Sequence, residues 1–284
     1  MRSSRVLLSA ILAAALLSGC ASNERYSLRV PATPATAPSP ALGYQTAAED
    51  PKFPLFQSFQ PALGSALSGR TIPVARYSDI ALRDKEVVLT FDDGPMPGKT
   101  HKILEALSDH GVGATFLMVG QMAKAYPKIA QEVAQAGHTI GTHTYRHPNL
   151  RTMSDAAAMA EIRKGEMSVA DALRPIGMRP APFFRFPYLA DTQRLRHDLA
   201  SEGIVAIDVD IDSKDYFRDA PATVRDRTLR ALEKHGRGII LMHDIQNRTA
   251  AMLPGFLAEL QKRGYKVVRL VPAAGSETSP SRQP

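Results

Sequence analysis

Two adjacent carboxylates, Asp92 and Asp93, end the apolar run Val87-Val88-Leu89, and Gly94-Pro95 turns the chain directly after them. Neighbouring Asp side chains at a strand end repel each other, so a cation is their natural third partner. Asp-Asp-Gly-Pro alone is also ordinary turn chemistry. Later stretches could supply the donors that such a cation needs. His143 and His147 stand at i, i+4, which predicts two imidazoles on one face of a helical turn. Two His and one carboxylate, with a position left for water, are the donor set of a catalytic divalent centre. Arg185, in Arg185-Phe186-Pro187-Tyr188, is placed to pair with a carboxylate of a neighbouring strand. Asp208, Asp210, Asp212 and Asp215 form an acidic stretch ending in Tyr216, and His243 closes the apolar segment Leu241-Met242.

These residues need a scaffold that gathers them on one rim. Strand signals fall at 86–91, 114–119, 138–142, 182–186, 204–209, 238–242 and 265–269. Helix signals fall at 98–110, 121–136, 154–174, 192–202, 221–235 and 249–263. In the last, Met252, Leu253, Phe256, Leu257 and Leu260 form an apolar stripe. Alternating strands and helices predict an α/β fold with a parallel sheet, open or closed into a barrel. In both arrangements ligands bind outside the carboxyl ends of the strands, where all the candidate stretches lie.

Taken together, Thr90-Phe91-Asp92-Asp93-Gly94-Pro95, His143-x-x-x-His147, Arg185-x-Pro187-Tyr188, the Asp-rich stretch and Leu241-x-His243 resemble the five ordered motifs of the polysaccharide deacetylase family, the NodB-homology or carbohydrate esterase family 4 domain. The resemblance covers roughly residues 85 to 270. It implies a distorted (β/α) barrel of about seven parallel strands. It also implies that Asp93, His143 and His147 hold a divalent metal, usually zinc, with cobalt or nickel also suited to these donors. Asp92 would be the general base, and Arg185 would pair with it and orient it. Tyr188 would offer its backbone N–H to the oxyanion, and Leu241 would line the pocket for the acetyl methyl. His243 would be the general acid, with Asp215 holding its imidazole. Tyr216 stands where the family commonly has Trp, so the sugar-stacking face is expected to be smaller. Alignment in the acidic stretch is loose, and Asp210 or Asp212 is an alternative partner for His243.

The expected activity is removal of acetyl groups from N-acetylated sugars of an envelope or extracellular polysaccharide. Alternatives are an O-deacetylase of a xylan-like glycan and a non-catalytic glycan-binding lipoprotein. Two other readings fail. Gly94-Pro95-Met96-Pro97-Gly98-Lys99-Thr100 approaches a phosphate-binding loop, but Asp93 occupies the position of the first Gly and two prolines remove N–H donors. The His pair has zinc-protease spacing, but Thr144 replaces the Glu base. Neither nucleotide nor nucleic acid is an expected partner, since the formal charge of +7 is spread along the chain without a dense basic block.

Residues 1–19 have a basic start and an apolar core, the texture of a secretory signal, and Leu17-Ser18-Gly19-Cys20 resembles a bacterial lipobox. Cys20, the sole Cys of the chain, would carry a lipid anchor and place the protein in the cell envelope, on an outer membrane facing the periplasm. Residues 20–84 are expected as a Pro-rich tether followed by an irregular strap, 85–272 as the deacetylase-like domain, and 273–284 as a frayed tail.

Overall fold

The computed structural model describes residues 65–274. The expected signal, the lipobox Cys20, the tether and nearly all of the tail lie outside the described residues. Among the described residues nine parallel strands form the sheet: β1 (Ser68–Val74), β2 (Glu86–Asp92), β3 (Thr115–Met118), β4 (Thr139–Thr142), β5 (Phe183–Phe184), β6 (Val205–Ala206), β7 (Ile211–Asp212), β8 (Gly238–His243) and β9 (Lys266–Pro272). Around them lie α1 (Lys99–Asp109), α2 (Gly120–Ala125), α3 (Pro127–Gln135), α4 (Asp155–Leu173), α5 (Gln193–Ser201), α6 (Pro221–His235) and α7 (Asn247–Lys262). No helix among the described residues is long and apolar enough to cross a membrane.

Strand order runs β1-β9-β2-β3-β4-β5-β6, with β8 also on β2 and β7 on β8. β2 is the pivot of the sheet. Its first residues, Glu86 and Val87, pair with β9, while Val87 to Asp92 pair with β8. The upper half of β2 therefore carries β3 on one side and β8 on the other, and the sheet curls into a distorted barrel. Among the described residues no ladder joins β6 to β7, so the wall is open there.

Period-two alternation sorts the side chains. Val87, Leu89 and Phe91 face outward and pack with Ile103, Leu107, Leu253 and Phe256 of the covering helices. Val88 faces inward with Leu117, Phe183, Val205 and Ile239. The same parity sends Thr90 and Asp92 of β2, Leu241 and His243 of β8, and Arg185 after β5 to the interior of the carboxyl rim.

Three elements differ from expectation; one is β7, a short strand paired with β8 beyond the expected strand 204–209, in the acidic stretch. The stretch read as an irregular strap contains β1, which pairs in parallel with β9 and buries Ile72 and Val74. Its alternation is masked in the sequence by Gly69, Arg70 and Pro73. The helix expected over 121–136 is two helices, because Pro127 drives Tyr126 out of the helical region, to φ −128° and ψ 56°.

Candidate active site

The first motif is held by its strand and by a tied turn. Asp93 adopts φ 78°, so the chain leaves β2 sharply and the two carboxylates part. Asp244 anchors this turn. Its Oδ2 accepts from Thr100 Oγ1 at 2.7 Å, and Thr100 Oγ1 accepts from Met96 N at 2.8 Å. Asp244 N donates to the Asp92 carbonyl at 3.3 Å. Burial pushes the Asp244 carboxyl up to about 7, with Asp93 and Asp92 adding to the rise. Only glycine fits opposite it, since a Cβ on Gly94 would lie 2.0 Å from Asp244 Oδ2.

The expected helical turn for the His pair is corrected by the structure. His143 directly follows β4, and residues 143–149 form an irregular bend. Thr144 and His147 adopt φ 64° and 61°, and the Thr144 hydroxyl accepts from His147 N–H at 3.0 Å. Pro148 forbids helix at His147, and Glu161 of α4 draws away the Arg146 N–H at 2.7 Å. The bend nonetheless brings the imidazoles together, with ring centroids 4.8 Å apart.

One donor atom each from Asp93, His143 and His147 falls within a 4.8 Å cluster. Asp93 Oδ1 lies 3.6 Å from His143 Nε2 and 3.4 Å from His147 Nε2. These separations are too long for good hydrogen bonds and suit atoms each about 2 Å from one shared centre. Asp93 Oδ1 is buried without a hydrogen-bond partner. His143 Nδ1 donates to the Arg185 carbonyl at 2.7 Å, which leaves Nε2 as a lone pair turned toward Asp93. Burial pushes the His143 pKa down to about 3, so this ring is neutral and able to ligate. An orphaned carboxylate oxygen and an unprotonated ring nitrogen facing one point fit a divalent cation.

Beside this cluster, Arg185 fixes Asp92. Its Nη1 donates to Asp92 Oδ1 at 2.8 Å and to Thr90 Oγ1 at 2.7 Å. Its Nε and Nη2 donate to the carbonyls of Ile207 and Asp208 at 3.1 and 3.2 Å. A buried guanidinium with this many partners cannot swing, so Asp92 Oδ2 is left facing the His143 side at 3.8 Å. Burial raises the Asp92 pKa, opposed by the charges of Arg185 and His243.

Across the rim, His243 ends β8. Its Nδ1 lies 2.6 Å from Asp215 Oδ1, and its backbone N–H donates to Asp215 Oδ2 at 2.7 Å. Asp210 instead accepts from Ile239 N–H at 2.8 Å, and Asp212 from Tyr216 O–H at 2.8 Å. Of the three candidate acids, Asp215 is thus the one that meets His243. Burial disfavours the imidazolium, yet the hydrogen bond and charge of Asp215, with Asp92 and Asp93 behind, outweigh it and push the pKa up to about 9.

The remaining predicted residues lie on the same rim. Leu241 is buried two residues before His243 on the same strand face. Tyr188, at φ 59°, is 67% exposed and sets its ring edge-on to His147 at 4.6 Å. Tyr216 is exposed and packs edge-on to His243 at 5.7 Å, with Phe217 beyond it. Sequence reasoning gave no role to Thr90, Glu161 or Asp244. Of these only Thr90 carried a sequence signal, a polar side chain inside an apolar strand.

A family model described as polysaccharide deacetylase matches residues 79–207. The chitin deacetylase of Colletotrichum lindemuthianum is 31% identical over 216 residues, covering 72% of this chain and 85% of that protein. The peptidoglycan-N-acetylglucosamine deacetylase PgdA of Listeria monocytogenes is 30% identical over 206 residues. That match takes in 72% of this chain but only 42% of the Listeria protein. Among solved structures, the peptidoglycan deacetylase Bd3279 of Bdellovibrio bacteriovorus superposes with a TM-score of 0.64 at 36% identity. It covers 75% of this chain and 58% of its own. Strand-rim carboxylates and imidazoles on a parallel α/β barrel define the class, and this chain belongs to the polysaccharide deacetylase family.

Proposed function

We propose that the chain is a metal-dependent deacetylase of N-acetylated sugars in an envelope or extracellular polysaccharide. The observation that carries this reading is the meeting of Asp93, His143 and His147 between a pinned carboxylate, Asp92, and a proton-bearing imidazole, His243. Asp93, His143 and His147 would hold the ion, zinc by the chemistry of the donors, with cobalt or nickel as substitutes. Bound there, a divalent cation would supply Lewis acidity, polarising the acetyl carbonyl and lowering the pKa of water.

The chain's own residues do the rest. Asp92, held by Arg185, takes a proton from the water that attacks the carbonyl carbon. The Tyr188 N–H donates to the oxygen that gains charge. His243 delivers a proton to the nitrogen as the C–N bond breaks, and acetate and a free amine leave. An amine is a poor leaving group unless protonated, which is the use of an imidazole whose proton Asp215 helps to hold. Leu241 offers an apolar wall for the methyl, and Tyr216 a face for the sugar.

The test is acetate release, followed by mass spectrometry, from an N-acetylglucosamine oligomer and from an O-acetylated xylan. Each is run as purified, with chelator, and with zinc restored. Chelator-sensitive release from the first substrate is expected. Release only from the xylan would make the chain an O-deacetylase, and glycan binding without release would make it a binding lipoprotein. The reading extends to the amino terminus, where lipidation of Cys20 would anchor the catalytic domain to an outer membrane through the Pro-rich tether. A Cys20→Ala chain that still partitions with membranes would defeat that part.

A further inference from the structure

Asp215 is fully buried, and the acid role of His243 depends on where its carboxylate points. Oδ1 meets His243 Nδ1, while Oδ2 accepts from His243 N–H at 2.7 Å and from the hydroxyl of Thr249 at 2.5 Å. A carboxylate only accepts, so the Thr249 hydroxyl must donate here. Thr249 is fully buried in the first turn of α7, 34 positions along the chain from Asp215. Its neighbour Arg248 donates through Nη1 to the Asp215 backbone carbonyl at 2.8 Å. The start of α7 therefore holds both the main chain and the side chain of Asp215. A buried helical Thr commonly returns its hydroxyl to the carbonyl four residues back, as Thr228 does to Val224 at 2.8 Å. Thr249 spends its hydroxyl on Asp215 instead.

We propose that Thr249 is a positioning residue, holding the Asp215 carboxylate in line with His243 for the proton transfer; this rests on the acid role given to His243 above. Without the hydroxyl, Oδ2 keeps one donor, and the carboxylate gains freedom about its Cβ–Cγ bond. The Oδ1···Nδ1 contact then loosens, and the imidazole loses its fixed orientation toward the leaving nitrogen. Substrate binding does not involve Thr249, so the defect belongs in turnover.

The test uses the full chain with Thr249→Val, which keeps the shape and removes the hydroxyl, and Thr249→Ser, which keeps the hydroxyl. Thr249→Val is expected to lower kcat about tenfold or more at unchanged KM, and Thr249→Ser to recover most of the loss. The downfield proton resonance of His243 Nδ1–H should move or broaden in the Val variant and stay near wild type in the Ser variant. Should the Val variant not fold, Ala against Ser carries the same contrast. Wild-type kcat and resonance in Thr249→Val would overturn the proposal, as would a Ser variant as impaired as the Val one. If the wild-type chain releases acetate from no glycan, the proposed activity falls, and the resonance still decides the role of Thr249.

Discussion

At the scale of single residues, His243 stands between two opposed influences. Burial works against its charge and Asp215 works for it, and Asp215 prevails, lifting the pKa to about 9 from a reference of 6.5. In the proposed mechanism His243 must carry its proton to act as the acid, so raising its pKa would extend activity to higher pH. Asp215→Asn removes the charge and leaves the burial. The alkaline limb of the kcat profile should then move down by at least about one pH unit, and a limb that stays in place would refute the pairing. The pair also stabilises the fold fully below pH 6.5, and that contribution fades as pH rises toward 9. In the proposed mechanism Asp92, as base, and His147, as ligand, divide the other duties. Asp92→Asn should cut turnover by about a hundredfold or more while zinc stays bound. His147→Ala should lose turnover and zinc together, as read by metal analysis of the purified variants.

Among elements, the contact between α4 and the bend after β4 decides whether the imidazoles meet. Gly165 lies in the middle of α4, where Ala would ordinarily gain about 1 kcal/mol of helix propensity. Here a Cβ would lie 2.4 Å from the Thr144 carbonyl carbon and 2.5 Å from its oxygen. Both are backbone atoms of the bend between His143 and His147 and cannot rotate aside. Gly165→Ala should therefore destabilise, by about 1–3 kcal/mol, and weaken zinc binding even though it touches no ligand. Thermal melting and zinc titration of this variant check both effects. Retained affinity with a raised Tm would mean that the bend is softer than its packing implies. The backbone there is already strained, since Thr144 and His147 adopt positive φ without being glycine, as do Asp93, Tyr188 and Leu189 elsewhere on the rim.

For the molecule as a whole, the three proposed ligands come from the ends of two strands and the bend that follows one of them. A bound ion would tie those parts together, and ligand linkage would make that a stability term. At zinc about a hundredfold above Kd the gain is about 2.7 kcal/mol, or a Tm shift of about 5–10 °C for a domain of this size. Calorimetry with and without chelator should show it. A melting curve indifferent to chelator would argue that the cluster holds no ion.

The order of strands and helices was legible in the amino-acid sequence because hydrophobic period follows directly from local geometry. Runs such as Val87 to Phe91 and the stripe of 252–260 read correctly for that reason. The chemical types at the rim were legible too, since Asp92, Asp93, His143, His147, Arg185 and His243 each end a recognisable segment. Local period could not choose among Asp210, Asp212 and Asp215, replace a helical turn by a strained bend at 143–147, or reveal the parallel pairing of β1 with β9. Those depend on partners tens to hundreds of residues away: Thr249 and His243 for Asp215, Glu161 and Gly165 for the bend, Val267 to Pro272 for β1. Such contacts form only when the barrel curls, so the choice belongs to the tertiary structure.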